Sequence, residues 1–145
     1  MNLLTQYPAL SILGVVYLIL VLKMVAVGSY TSVIRIRRGH YATPEDYALQ
    51  GLPPPAGPDE DIERARRAHR NDIENILPFF GAAVFYSLTR PSLAMARLYF
   101  WGFCIARILH SVFYLRQMQP HRTVAYTVGL LLMLLMVLST LISLL

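Results

Sequence analysis

Residues 123–145 carry no charged side chain and are built mainly from leucine, valine, methionine and isoleucine. About 20 mostly apolar residues are enough for a helix to cross the hydrocarbon of a bilayer, and this stretch supplies them. Residues 10–34 supply them again, with Lys23 as the one charge, and residues 93–115 do so a third time. A fourth candidate, residues 73–88, is apolar but short, and the segment before it, 59–72, is crowded with charge.

That charged segment still reads as helix. The breaker run from Leu52 through Pro53, Pro54, Pro55, Ala56 and Gly57 to Pro58 precedes it, Asp59 or Asp61 can cap its start, and no glycine or proline follows until Pro78. The second span therefore begins in water or headgroups and continues into lipid, with a bend expected at Pro78, where neighbouring helices can satisfy the freed carbonyl. Short turns at Arg90-Pro91-Ser92 and at Gln117-Met118-Gln119-Pro120 make successive helices antiparallel. The expected fold is an all-α membrane protein, a four-transmembrane-helix up-down bundle in one domain, 1–145. Its spans are near 10–36, 61–89, 93–117 and 122–145, and a polar loop covers 37–60. The proline-rich second half of that loop should be irregular or extended.

Of the 145 residues 56% are hydrophobic and 14% charged, too little polar surface to cover a soluble core of this size. The net charge of +5 does not point to nucleic acid, because the basic residues flank apolar spans and form no separate basic domain. An anionic lipid surface or a small anionic ligand suits them better. Cys104 is the only cysteine, so there is no internal disulfide and no metal cage, and it reads as a small buried hydrophobe. The N-terminal apolar stretch is too long for a signal core and lacks a basic flank, so it is read as a retained span. Arg35, Arg37, Arg38, Arg64, Arg66, Arg67, Arg70, Arg116 and Arg122 fall on the side of the first and third connections, against Arg90 and Arg97 opposite. The positive-inside bias puts the long loop in the cytosol and both termini across the membrane.

Chemistry concentrates at that cytosolic level. Arg67, Arg70, Asn71 and Glu74 share one helix face at i, i+3, i+4 and i+7; Arg107, His110 and Tyr114 share another; Arg122 and Tyr126 lie one turn apart; Arg35 closes the first span. A charge at the centre of a spanning helix costs about 2.5–3.5 kcal/mol even on the lenient scale, so such a set implies mutual pairing or a hydrated cavity. One alternative is purely structural, with Glu74 pairing with Arg107 or Arg67 to hold the bundle together. The other is a pocket in which arginine forks hold carboxylates while Asn and Glu hold an amide and an ammonium, a mixture suited to a small peptide zwitterion. Arg122 and Tyr126 could offer positive charge and a hydroxyl to a developing anion such as a thiolate.

The run from Glu63 to Phe79, with Arg67, His69, Arg70, Asn71, Asp72, Glu74, Asn75 and Pro78, resembles the signature of the membrane-associated proteins in eicosanoid and glutathione metabolism. Within that family it is similar to the branch of the microsomal glutathione transferases and microsomal prostaglandin E synthase. The likeness extends to Pro44-Glu45-Asp46, to Ala106 through His110 with Tyr114-Leu115, and to Arg122 with Tyr126, nearly the whole chain. It implies a homotrimer with a glutathione site between adjacent subunits near the cytosolic face, in the endoplasmic reticulum of a eukaryote or the inner membrane of a bacterium. Arg35, Arg67, Arg70, Asn71, Glu74, His110, Tyr114, Arg122 and Tyr126 would line that site, joined by Arg107 from the same face of the third span. Arg122 would hold the thiolate. Asp46 matches a carboxylate placed near the active site of the prostaglandin synthase, and Thr123 stands where that enzyme has a serine.

The implied activity is that of a membrane glutathione transferase acting on lipophilic electrophiles delivered through membrane lipid, with glutathione peroxidase activity as a further capacity. Neither a metal nor nucleic acid enters this reading. A glutathione-dependent prostaglandin endoperoxide isomerase is the alternative within the branch, and a non-catalytic scaffold presenting lipid is the alternative outside enzymes.

Overall fold

The computed structural model describes residues 2–145; Met1, the first residue of the expected single domain, lies outside them. Among the described residues there are six helices and no strand: α1 (Leu3–Gln6), α2 (Pro8–Arg37), α3 (Pro44–Gln50), α4 (Glu60–Leu88), α5 (Leu93–Leu115) and α6 (His121–Leu144). Three of them, α2, α5 and α6, are long and apolar enough to cross a membrane, with mean hydropathies of 2.6, 1.4 and 2.4. The fourth long helix, α4, is 29 residues (about 43 Å), charged in its first half and apolar in its second.

Local chemistry sets the boundaries. Of the two candidate caps, Asp59 starts α4, its carboxylate accepting from the backbone N–H groups of Asp61 and Ile62. The helix then runs unbroken through Pro78. Ser92 caps α5 by accepting from the N–H of Met95, and Pro8 opens α2 at the position where a missing N–H costs nothing. Arg90 and Gln117, in the two tight turns, take left-handed backbone conformations with φ of 55° and 60°.

The loop is irregular in the half where its prolines lie and gains a short helix in the half for which the residues alone set no expectation. Its proline-rich half, 52–58, is non-helical, but α3 stands in its first half. Thr43 and Asp46 form a capping box there, the Asp46 carboxylate accepting from the N–H groups of Ala42 and Thr43. Gly51, at φ 65°, supplies the left-handed residue that ends α3. Both ends of the loop are pinned together. Arg38 donates through Nη1 to both carboxylate oxygens of Asp59, at 2.7 and 2.6 Å, and through Nη2 to Asp61 at 2.7 Å. These hydrogen bonds hold both carboxyls below the usual aspartate range.

The core runs along the bundle in helical steps: Leu13, Val16 and Leu20 from α2, Ile76, Phe79 and Ala83 from α4, Phe100 and Phe103 from α5, and Met136 from α6. Phe79 stacks on Phe103 with centroids 3.9 Å apart. Helices α4 and α5 each touch the other three long helices, which makes this pair the spine of the chain. Small residues let α5 and α6 approach, since a Cβ on Gly129 would stand 3.4 Å from that of Ala106. The outer surface is apolar, with Leu22 69% and Ile142 76% exposed, as suits a chain whose solvent is lipid rather than water.

Candidate functional site

A charged knot lies at the centre of the polar constellation, and it is not the pair considered from the sequence. Asp72 on α4, fully buried, accepts from Lys23 on α2, from Nη2 of Arg107 on α5 at 2.9 Å, and from Ser111 Oγ at 3.3 Å to each of its oxygens. Arg107, 1% exposed, also donates to the backbone oxygen of Asn71 at 3.2 Å and to its Oδ1 at 2.6 Å. Glu74 forms no ion pair with either Arg107 or Arg67 among the described residues. The reason is angular. Asp72 and Glu74 are two residues apart and so lie on opposite sides of α4; Asp72 takes the inward position and Glu74 the exposed one. Lys23 carried the signal, because a lone charge inside an apolar span needs a buried partner.

The remaining residues divide between two places. Arg35, Arg70 and Glu74 line a cavity of about 610 Å³ between α2 and α4, together with Thr31, Ser32, His69 and Ile73. Its lining also includes Glu63 and Arg66, which pair with each other at 2.8 Å, so that Arg35, Arg70 and Glu74 remain as two guanidiniums and one carboxylate, the complement of a zwitterion. Arg67 is exposed on α4 and makes no ion pair among the described residues, and half-buried Asn71 turns its side-chain oxygen inward to Arg107. Arg35 spans two compartments. Its Nε donates to the carbonyl of His40 at 3.2 Å, and it also borders a second cavity of about 520 Å³ that Tyr41, Ala42, Asp46 and Gln50 roof from the loop.

The second group sits where α5 ends and α6 begins. The Arg122 guanidinium lies 4.6 Å from the centroid of the Tyr114 ring, a cation–π distance. The His110 ring is 5.5 Å from Tyr114 and 5.9 Å from Tyr126. With its amide oxygen turned to the guanidinium, Gln119 accepts from Arg122 Nε at 3.1 Å and donates to Thr123 Oγ1 at 2.9 Å. That orientation is chemically required, since Arg122 can only donate. His110 is buried, its Nδ1 without a partner among the described residues, whereas Arg122, Tyr114 and Tyr126 are half-exposed and Thr123 is exposed.

Within one chain the polar set is thus divided, part of it paired in the knot and the rest on two separate faces. Arg107 lies between the two groups, spent on Asp72 and Asn71. Arg67, Arg70 and Glu74 face outward from α4, and Arg122, Tyr114 and Tyr126 occupy a separate half-open face. Helical spacing told which residues share a face and left undetermined which faces of one chain meet. Sequence reasoning missed Asp72, Lys23, Ser111 and Gln119. The Thr-Pro-Glu-Asp capping pattern at 43–46 was also legible, and it gives Asp46 a structural task beside any catalytic one. Among the described residues no group of His, Cys, Asp and Glu is arranged to hold a metal.

The sequence model of the MAPEG family matches residues 13–142. Prostaglandin E synthase of Homo sapiens is 37% identical over 129 residues, covering 88% of this chain and 85% of its own. Microsomal glutathione S-transferase 1 of Mus musculus is 43% identical over 116 residues, covering 77% and 75%. Prostaglandin E synthase of Equus caballus is 40% identical over 112 residues, covering 77% and 73%.

Proposed function

The chain belongs to the MAPEG family, and from that premise we propose that it is a membrane-bound glutathione transferase that presents glutathione as the thiolate to lipophilic electrophiles arriving through the bilayer. The observation that carries this reading is the division of the polar set between two open faces. One face holds Arg35, Arg70 and Glu74 around a cavity large enough for a small peptide. The other holds Arg122, Tyr114 and Tyr126, all half-exposed. A second copy of the chain joins the two, with the α4 face of one protomer meeting the α5–α6 face of its neighbour, and a closed ring of three gives three such sites.

In this arrangement α4 is the fourth spanning helix, and covering it by a neighbour removes Arg67, Arg70 and Glu74 from lipid, where unpaired charges are costly. Arginines 35, 67 and 70 hold the two carboxylates of glutathione, and Glu74 holds its ammonium. The thiol reaches Arg122, whose positive charge favours the thiolate, the competent nucleophile, over a thiol of ordinary pKa near 8.5. The electrophile enters the loop-roofed cavity beside Arg35, whose lining includes Ile36, Tyr41 and Ala42. The loop and the site lie on the cytosolic side.

The deciding experiment adds glutathione to purified protein and follows thiolate absorbance by stopped flow. A rise of one thiolate per site supports the reading; no binding rejects it. A second reading, a glutathione-dependent prostaglandin endoperoxide isomerase, is favoured by the position of Asp46 in the wall of the second cavity. Parallel assays with an aryl halide and the endoperoxide separate the two. Cross-linking in detergent tests the trimer.

A further inference from the structure

We infer that Arg107, through the buried knot around Asp72, fixes which way the amide of Asn71 points and so makes Asn71 a hydrogen-bond donor to a carboxylate or carbonyl oxygen of the bound thiol peptide, never a partner for its ammonium. The inference rests on the glutathione reading above and adds to it a positioning residue and the sense of one contact.

Valence decides the orientation. A guanidinium has five N–H donors and no acceptor, so the atom of Asn71 facing Arg107 at 2.6 Å must be oxygen. The backbone oxygen of Asn71 is likewise taken, by Arg107 at 3.2 Å and by Asn75 Nδ2 at 2.7 Å. What remains is the Nδ2 amide group, which finds no partner among the described residues, on a half-buried side chain next to Arg70 and one turn before Glu74. Arg107 cannot swing away to release the oxygen. Asp72 holds it at 2.9 Å, and Asp72 is itself held by Lys23 and Ser111, with Asp72 and Arg107 sealed from solvent. The orientation of one amide at the α4 face therefore traces back to a lysine in the middle of α2. It also assigns tasks, since Glu74 is left as the acceptor for an ammonium while Asn71 joins Arg70 on the carboxylate side.

Two substitutions read this directly. In Asn71→Asp the new carboxylate can still meet Arg107, so the fold is kept, but the outward donor becomes an acceptor facing the ligand's oxygen. Glutathione affinity, measured by equilibrium dialysis, is expected to fall roughly tenfold or more, as for a lost hydrogen bond to a charged group, with the loss appearing in KM rather than kcat. Arg107→Lys keeps a donor-only group behind Asn71 and should retain most of the affinity. Arg107→Gln, which can donate or accept, frees the amide and should lose affinity about as Asn71→Asp does. Asn71→Asp protein that melts like wild type and binds glutathione within about twofold of it overturns the inference, as does equal impairment by Lys and Gln at 107. Should Arg107→Gln fail to fold, Asn71→Asp alone carries the test. Wild-type protein that binds no glutathione would instead reject the function proposed above, an outcome distinguishable from either.

Discussion

Arg107 and Asp72 meet 2.9 Å apart between α5 and α4, and neither side chain reaches the surface. Lys23 completes the knot from α2, so two cations share one carboxylate. Removing the carboxylate strands both cations, and breaking a buried pair in this way costs about 3–5 kcal/mol. Asp72→Ala should therefore unfold far more readily than wild type in a detergent titration. Lys23→Met removes the surplus charge and leaves the Arg107–Asp72 pair whole, so it should cost less than about 1 kcal/mol or stabilise. Equal losses from the two would mean that the knot does not act as a charge-balanced unit.

Arg122 has Gln119 and the Tyr114 ring for company but no carboxylate partner among the described residues. Its charge is thus available to an incoming anion. Arg122→Ala should lower turnover by about 10²–10³, the usual scale for losing one stabilising donor, while glutathione still binds. The readout is the thiolate absorbance, which should vanish from the saturated variant; an undiminished band would remove Arg122 from the mechanism.

The Arg38 clip on Asp59 and Asp61 fixes a pH dependence. Both carboxyls are held below their ordinary value by the hydrogen bonds from Arg38. A depressed folded-state pKa gives order that is present above the unfolded value, about 3.9, and is lost as pH falls through the folded one. Amide exchange in the loop, corrected for intrinsic rate, should be flat from neutrality down to about pH 4 and rise only below it. In Arg38→Gln the loop should exchange fast throughout, and a transition near neutrality in wild type would contradict the clip.

Gln117 holds φ at 60°, where a side chain is strained. Glycine adopts that conformation freely, at some cost in unfolded-state entropy. Gln117→Gly should therefore be neutral or stabilising by up to about 1 kcal/mol in thermal melts, whereas Gln117→Val should destabilise.

Asp46 separates structure from catalysis. Asp46→Ala removes the acceptor for two backbone N–H groups and should loosen α3 by about 1 kcal/mol, visible as faster exchange at 44–47. If Asp46 also serves chemistry, Asp46→Asn, which keeps an acceptor for the cap, should still lose turnover.

Much of this molecule could be read from its residues. The apolar stretches around Lys23, Arg107 and Val128 became helices because their length and composition leave little else, and the capping carboxylate at Asp59 and the breaker run before it set the start of α4. Of the four residues spaced along one side of α4, Arg67, Arg70 and Glu74 are exposed, while half-buried Asn71 turns its oxygen inward to Arg107. What the helical period could not supply was the rotation of each helix about its axis. A rotation of α4 by half a turn would exchange Asp72 and Glu74, one for burial and the other for exposure, and both are acids in the same run. Contacts by Lys23 and Ser111, set by packing far along the chain, decide between them. The division of the site follows from that same rotation, because the face that α4 spends on the knot is not available to a ligand.

The split of the polar side chains between an α4 face and an α5–α6 face also carries a genetic meaning. An allele broken at Arg70 keeps its Arg122 half intact, and an allele broken at Arg122 keeps the Arg70 half. In the proposed ring, two such alleles expressed together would rebuild whole sites wherever a sound face of one product meets a sound face of the other. Two lesions on the same face would never do so. Complementation between alleles of one locus would then sort every lesion by the side of the protomer on which it falls.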